Sequence, residues 1–444
     1  MLSERELERL GERIVEVMLI GRKRNSRGIA RAKKFFPKIE GLARKFDGKV
    51  VSASRLSAFG VKGRLLEKLC NPELGPILAA RGRGFAVRSS IGECVRIAYH
   101  PDNWLLARQV VLATWRKGCH AAWTPRSSEL DRDAVNASPL ARLEDFPEML
   151  PASLRSVDAT IYIECEDNPA WKRGLSPLKL AAGRECGQKA HEIIDARRVR
   201  WLVVGWPFAS TARKLGVSPR WFKKMLFGAL EESFSARTRN LVQEYSVALR
   251  GGRRVHLRHR DGTDLWFSVK GRPILEDSGF LTPAEVARGD VGLNLPAGEV
   301  FCAPIEGSAE GTVFFPKVFI EGHGFAEGLK LEFKQGRVAR FSAVKGAGHF
   351  SKYLAENTPS TRVLAELGIG CNAAAGFSGY VLTDEKVAGT IHLAIGNNTG
   401  GYHGRNKASG HLDMVKPMQG GVLEVDGRVV MRGGRPVAAG GKHV

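Results

Sequence analysis

Residues 190–208, AHEIIDARRVRWLVVGWPF, read as a helix running directly into a strongly apolar strand. A strand that is apolar along its whole length suits a sheet buried on both faces, as parallel sheets are. Working outward, SVDATIYIECED (156–167) is a strand starting near Asp158, and CHAAWTP (119–125) is another. FAVRSS (85–90) and CVRIAYH (94–100) are short strand-like runs, and residues 103–118 look helical. Strands alternating with helices predict an α/β layer with a parallel sheet over 85–250. One or two helices from Val217 close it, and Ser218-Pro219 has the form of a helix start with proline in the first turn. Gly251-Gly252 is the expected boundary. Beyond it, RVHLRHRDGTDLWFSVKG (254–271) is a hairpin turning at Asp261-Gly262. Further strand runs follow, with one helix expected over roughly 349–368. The predicted fold is an α/β N-terminal domain plus a β-rich α+β C-terminal domain over 251–435, with a small polar tail, 436–444, expected to be flexible.

The chain has 444 residues, with 68 Lys+Arg against 46 Asp+Glu, a net charge of +22. Such a balance excludes an acidic solubility module and permits contact with polyanions. Residues 1–100 hold 22 basic and 10 acidic residues, and 21–50 alone hold 11 and 2. Residues 1–84 are read as a basic, partly helical extension. A helix over 4–20 places Leu7, Leu10, Ile14, Val15 and Met18 at helical spacing. From Gly21 a basic turn leads into a basic amphipathic helix with Arg22, Lys23, Arg24, Arg27, Arg31, Lys33, Lys34 and Lys38. A nucleic-acid contact there competes with a solvated face over Phe35, Phe36, Ile39 and Leu42. The second reading is preferred, because no nucleic-acid motif or aromatic stacking pattern accompanies the charge. The seven cysteines form no C-x-x-C pair, which points to buried thiols in a reducing compartment. The start lacks the pattern of a signal peptide, and no segment reaches 18 apolar residues. A cytoplasmic protein without membrane contact is expected.

The C-terminal part carries the residue types suited to metal chemistry. His411 and Asp413 stand two apart, on one face of a strand. His392 lies alone in the apolar run TIHLAIG (390–396). Glu299 leads into VFCAP, Glu366 closes the expected helix, and Asp384-Glu385 precedes His392. Five such side chains could hold two divalent ions, since carboxylates bridge ions and imidazole suits Zn, Co or Fe. There is no H-E-x-x-H, no G-x-S-x-G and no phosphate-binding glycine loop. Cys302 and Cys371 beside these positions are read as packing residues, and His256, His259 and His323 as surface or hairpin residues.

The strings LPAGEVFCAPIEGSAEGTV (295–313), LAELGIGCN (364–372), LTDEKVAGTIHLAIGNN (382–398) and NKASGHLDMV (406–415) occur in that order. Together with TDLWFSVKGRP (263–273), they resemble the thermophilic-type, M29-like metalloaminopeptidases. The resemblance covers roughly 85–430 and makes 251–435 a metal-binding catalytic domain. It implies two divalent ions (Zn, Co or Mn) held by Glu299, Glu366, His392, His411 and Asp413. It further implies a clamshell homodimer that removes N-terminal residues from short peptides. A carboxylate, Glu366 or Glu385, would act as general base. Tyr402, displaced behind an Asn-Asn-Thr-Gly-Gly loop, His403 and Lys386 are candidates either to support the ligands from behind or to face the developing oxyanion, Lys386 competing with a surface-loop reading. Ala365 stands where the resembled motif has glycine. Related scaffolds also carry iron-dependent ring-cleaving dioxygenases, so an iron oxygenase or another amide hydrolase is the alternative, and nucleic-acid binding through the N-terminal region the remaining one.

Overall fold

A computed structural model describes residues 2–20, 33–34, 36–46, 49–70, 78–81, 84–87, 92–168 and 170–437. Ser3 opens the first helix, Glu4–Val17, with a capping box: its hydroxyl accepts from Glu6 N while Glu6 accepts from Ser3 N. The chain divides into two compact units, the first comprising Met1–Arg96, Arg108–Ala122 and Val157–Ala159. In this unit Phe36, Ile39, Leu42, Phe46, Val51, Leu56, Val61, Leu69 and Leu78 form a core. Beside it lies an antiparallel sheet in the order Val50–Ser52, Gly84–Val87, Leu78–Arg81. The run FAVRSS, expected to open the α/β layer, therefore starts with a strand of this small sheet, because its hairpin neighbour 78–81 and strand 50–52 pair with it first. Residues 21–32 of the basic stretch, Phe35 and 438–444 of the tail lie outside the described residues.

The second unit comprises Ile97–Ala107, Trp123–Ser156 and Thr160–Val444. A five-stranded α/β sheet runs in the order Gly292–Leu295, Arg200–Val204, Ala159–Ile163, Cys94–Tyr99, His120–Pro125. The first two strands are parallel, Leu293 opposite Leu202 and Leu295 opposite Val204. Strand 292–295 comes from beyond Gly251-Gly252, so the expected boundary is crossed. The helix before the boundary, Ala236–Leu249, buries Val242, Tyr245 and Leu249 in one core with Val255, Leu257 and Phe267 after it. Gly251 has φ +74°, and a Cβ on Gly252 would lie 2.5 Å from Val425 Cγ1. The glycine pair is a tight turn between a helix and a strand that share one core.

The expected hairpin forms between Arg254–His259 and Thr263–Ser268 and joins an eight-stranded sheet. A second sheet is a five-stranded antiparallel meander: β1 (Leu275–Asp277), β2 (Glu299–Cys302), β3 (Leu364–Gly370), β4 (Thr390–Gly396) and β5 (His411–Pro417). One face of β3–β5 gives Leu367, Ile369, Ile391, Leu393, Ile395, Leu412 and Met414 to a core shared with the larger sheet. Two sheets closing on a common apolar layer bury that face of β3 and β4, and the residues of the opposite face are buried as well. The helix expected over 349–368 ends at Glu356; after a short 3-10 turn the chain is β3. Leu364–Gly370 satisfies an apolar-helix reading and a buried-strand reading equally, and only its partners on both sides decide for the strand.

Candidate metal centre

The inner face of the meander carries the candidate ligands, because residues two apart on a strand share a face. Glu366 pairs with Ala394, which pairs with Asp413; Gly368 pairs with His392, and Gly396 with His411. At the other edge Asp277 is opposite Glu299, which is opposite Gly370. The glycine at 368 is a packing requirement, since a Cβ there would lie 2.0 Å from His392 Nε2.

Glu366 stands between the two histidines. Its Oε1 is 3.4 Å from His392 Nε2 and its Oε2 is 3.2 Å from His411 Nε2. His392 Nε2 is also 3.6 Å from Glu299 Oε2, and His411 Nε2 is 3.4 Å from Asp413 Oδ1. Donors bound tetrahedrally at about 2.0–2.2 Å would stand about 3.3–3.6 Å apart, so these spacings fit metal coordination. Glu299 Oε2, His411 Nε2 and Asp413 Oδ1 are buried without a hydrogen-bond partner. Buried polar atoms left without partners are costly unless something completes them. Among the described residues two triads have donor atoms close enough to hold an ion: Glu299, Glu385 and His392, and Glu366, His392 and Asp413. His411 Nδ1 meets the carbonyl of Asn397 at 2.7 Å; donating there leaves the Nε2 lone pair, on the side of Glu366 and Asp413, free to bind a metal ion. Residues of the chain thus fit a divalent-metal site.

The electrostatics follow from burial against pairing. Burial pushes Glu299 up to about 8, partly opposed by Lys386. Burial would also raise Glu366, but the His392 and His411 imidazoles beside it outweigh it and hold the carboxyl below its ordinary value. Asp413 is held at about 2 because His411 overcomes its burial. His392 is raised to about 9: burial acts downward, and Glu366 more than compensates. Glu385 is raised by burial, against the pull of Lys386.

The site draws Glu299, Glu366, His392, His411 and Asp413 together, with Glu385 beside them. Lys386 is a correction to the surface-loop reading, and to the oxyanion role as well. Its side chain is fully buried, and Nζ donates to Glu299 Oε1 at 2.6 Å and to Glu385 Oε1 at 2.7 Å, with Asp277 Oδ2 at 3.7 Å. Tyr402 stacks on the His411 ring, centroids 4.9 Å apart, and meets Phe301 edge-on. His403 turns away to Asp290, 3.0 Å from its Oδ1. Asp384 closes its own turn by accepting from Ser378 N and Gly379 N. Burial pushes the Cys302 thiol up to about 12 and raises Cys371 as well, in keeping with packing residues. His256 is buried, stacked on Trp266 and bonded to Asp264, which corrects its surface reading while leaving it in the hairpin. Asp277 and the Asn397 carbonyl carry no sequence signal, because one lies far off in the chain and the other is backbone.

The family profile described as Thermophilic metalloprotease (M29) matches residues 84–435. Direct comparison with curated proteins finds no match. Among solved structures, wild-type AmpT from Thermus thermophilus is similar with a TM-score of 0.62 and 22% identity, covering 78% of this chain and 94% of that chain. The 2,5-dihydroxypyridine dioxygenase of Pseudomonas putida KT2440 is similar with a TM-score of 0.53 and 17% identity, covering 79% of this chain and 92% of that one. At these identities the two structures speak for the fold alone.

Proposed function

The chain belongs to the thermophilic metalloprotease (M29) family, and from that premise we propose that it is an aminopeptidase acting on short peptides, with two divalent ions at the inner face of the meander. The observation that carries this reading is Glu366, which turns one oxygen to His392 and the other to His411. Glu366, the two histidines, Glu299 and Asp413 would hold the ions. Bound there, the ions supply a water of lowered pKa and polarise the scissile carbonyl.

The residues divide the remaining work. Glu366 has both oxygens engaged, so it serves as ligand. Glu385 has Oε1 held by Lys386 and lies within the triad with Glu299 and His392, so it is the general base. It takes the proton of the attacking water and returns it to the leaving amine. Lys386 has no exposed surface and acts by holding Glu385 and Glu299, not by touching substrate. Tyr402, packed on His411, would meet the developing oxyanion. A free α-amine on the substrate would account for exo-acting cleavage.

The test is a panel of aminoacyl-anilides and short peptides, free and N-blocked, assayed with Zn, Co and Mn. Turnover of free N-termini is expected; cleavage of blocked substrates alone would reject the aminopeptidase. Oxygen uptake with iron and an aromatic substrate would instead favour the dioxygenase chemistry. The homodimer belongs to the same proposal, and sedimentation at working concentration checks it. Among the described residues no helix is long and apolar enough to cross a membrane.

A further inference from the structure

We propose that Arg272 and Glu306 are positioning residues of the metal centre: their ion pair clamps the 397–406 loop and thereby fixes the ring of His411 and the cover of Tyr402. This rests on the metal reading of the site. The Arg272 side chain is 8% exposed, and its NH2 meets Glu306 Oε2 at 2.6 Å. From the same guanidinium NH1 donates to the carbonyl of His403 at 2.8 Å. Glu306 turns its other oxygen to the loop, where Oε1 accepts from Asn398 Nδ2 at 3.0 Å and from Arg405 N at 2.8 Å. Both arms of the loop are therefore tied to one ion pair.

The loop in turn is tied to the site. Asn398 Oδ1 accepts from Asn406 N at 2.7 Å, and Asn406 Nδ2 donates to Gly396 O at the end of β4. Asn397, next to Asn398, offers the carbonyl that meets His411 Nδ1. Tyr402, next to His403, lies on the opposite flank of the loop and stacks on the same imidazole. The His411 ring is thus set by a hydrogen bond and a ring contact, both from a loop that has no regular structure to hold it apart from a single 3-10 turn, Gly400–Tyr402. A planar guanidinium can hold a carboxylate and a backbone carbonyl together; a lysine has no such fork. Outer partners of a ligating histidine commonly change metal affinity by about 10–100-fold when removed.

The test measures Co²⁺ binding by equilibrium dialysis and visible absorption on the full chain, for Arg272→Met and Glu306→Gln. Each variant should weaken one of two Co²⁺ steps by about 10–100-fold and alter its absorption band, leaving the other step in place. Melting curves, run alongside, separate this from a merely structural role, which would lower the midpoint and leave affinity unchanged. Should Arg272→Met not fold, Arg272→Lys carries the test, since it keeps the charge and loses the fork; the same weakened step is expected. Parental affinity and bands in folded variants would overturn the inference while leaving the metal reading intact. No Co²⁺ on the parent chain would remove both together.

Discussion

At the scale of single residues the site is a set of side chains whose roles follow from what each already touches. Gly368 has no side chain because the His392 ring lies where its Cβ would be. Gly368→Ala should displace that ring, cost about 1–3 kcal/mol through overpacking, and lower metal content measured by atomic absorption. An alanine variant with full metal and parental stability would show that the ring has room to give. Glu385→Gln should retain metal and lose roughly 10²–10⁴ in kcat, the usual contribution of a general base. If instead the metal is lost, Glu385 is a ligand. Glu166 offers a pH test away from the site. Burial, aided by Glu321 and opposed by Lys172, pushes it from 4.5 up to about 7. The folded value is above the unfolded one, so its contribution to stability is complete below about 4.5 and is lost as pH rises through about 7. Glu166→Gln should therefore gain about 1–3 kcal/mol over the parent between pH 4.5 and pH 8 in urea titrations. An equal difference at both pH values would contradict the sign.

Elements were legible where local chemistry and pattern agreed. Ser218 caps the helix Pro219–Glu232 by accepting from Trp221 N, as Ser218-Pro219 suggested. Ser218→Ala should cost about 1 kcal/mol in thermal or urea unfolding. No change would mean that the proline and the buried Phe222, Met225, Leu226, Ala229 and Leu230 hold that end by themselves. The hairpin at Asp261-Gly262 was equally readable, since Gly262 supplies the positive φ of 91° that the turn requires. The stretch after Glu356 was not. Ala365 and Glu366 sit in an apolar run without alternation, because β3 is covered on both faces, and periodicity then carries no information. Lys386 illustrates the same limit. A lysine after Asp384-Glu385 in a short loop reads as surface, and only the arrival of β1 and β2 brings Asp277 and Glu299 to it.

For the whole molecule the consequence is that loading and folding are linked. Atoms of Glu299, His411 and Asp413 are buried without partners, so divalent ions should stabilise the folded chain. At a hundredfold excess over Kd the gain is about 2.7 kcal/mol, visible as a melting midpoint that rises on adding Co²⁺ or Zn²⁺ and falls with chelator. A midpoint indifferent to both would count against the metal centre. By itself the sequence determined the residue types, their order and their strand spacing: His411 and Asp413 on one face, His392 in a buried run, and the ordered strings shared with the metalloprotease family. Those are local properties, fixed by side-chain chemistry and by the two-residue repeat of a strand. The tertiary structure alone decided that Glu366 lies on a strand, that Lys386 is buried among carboxylates, that His403 faces Asp290, and that a strand beyond Gly251-Gly252 completes the earlier sheet. Each of these depends on which distant strands pair. That choice is made by burying both faces of the meander at once, a condition no window of neighbouring residues contains.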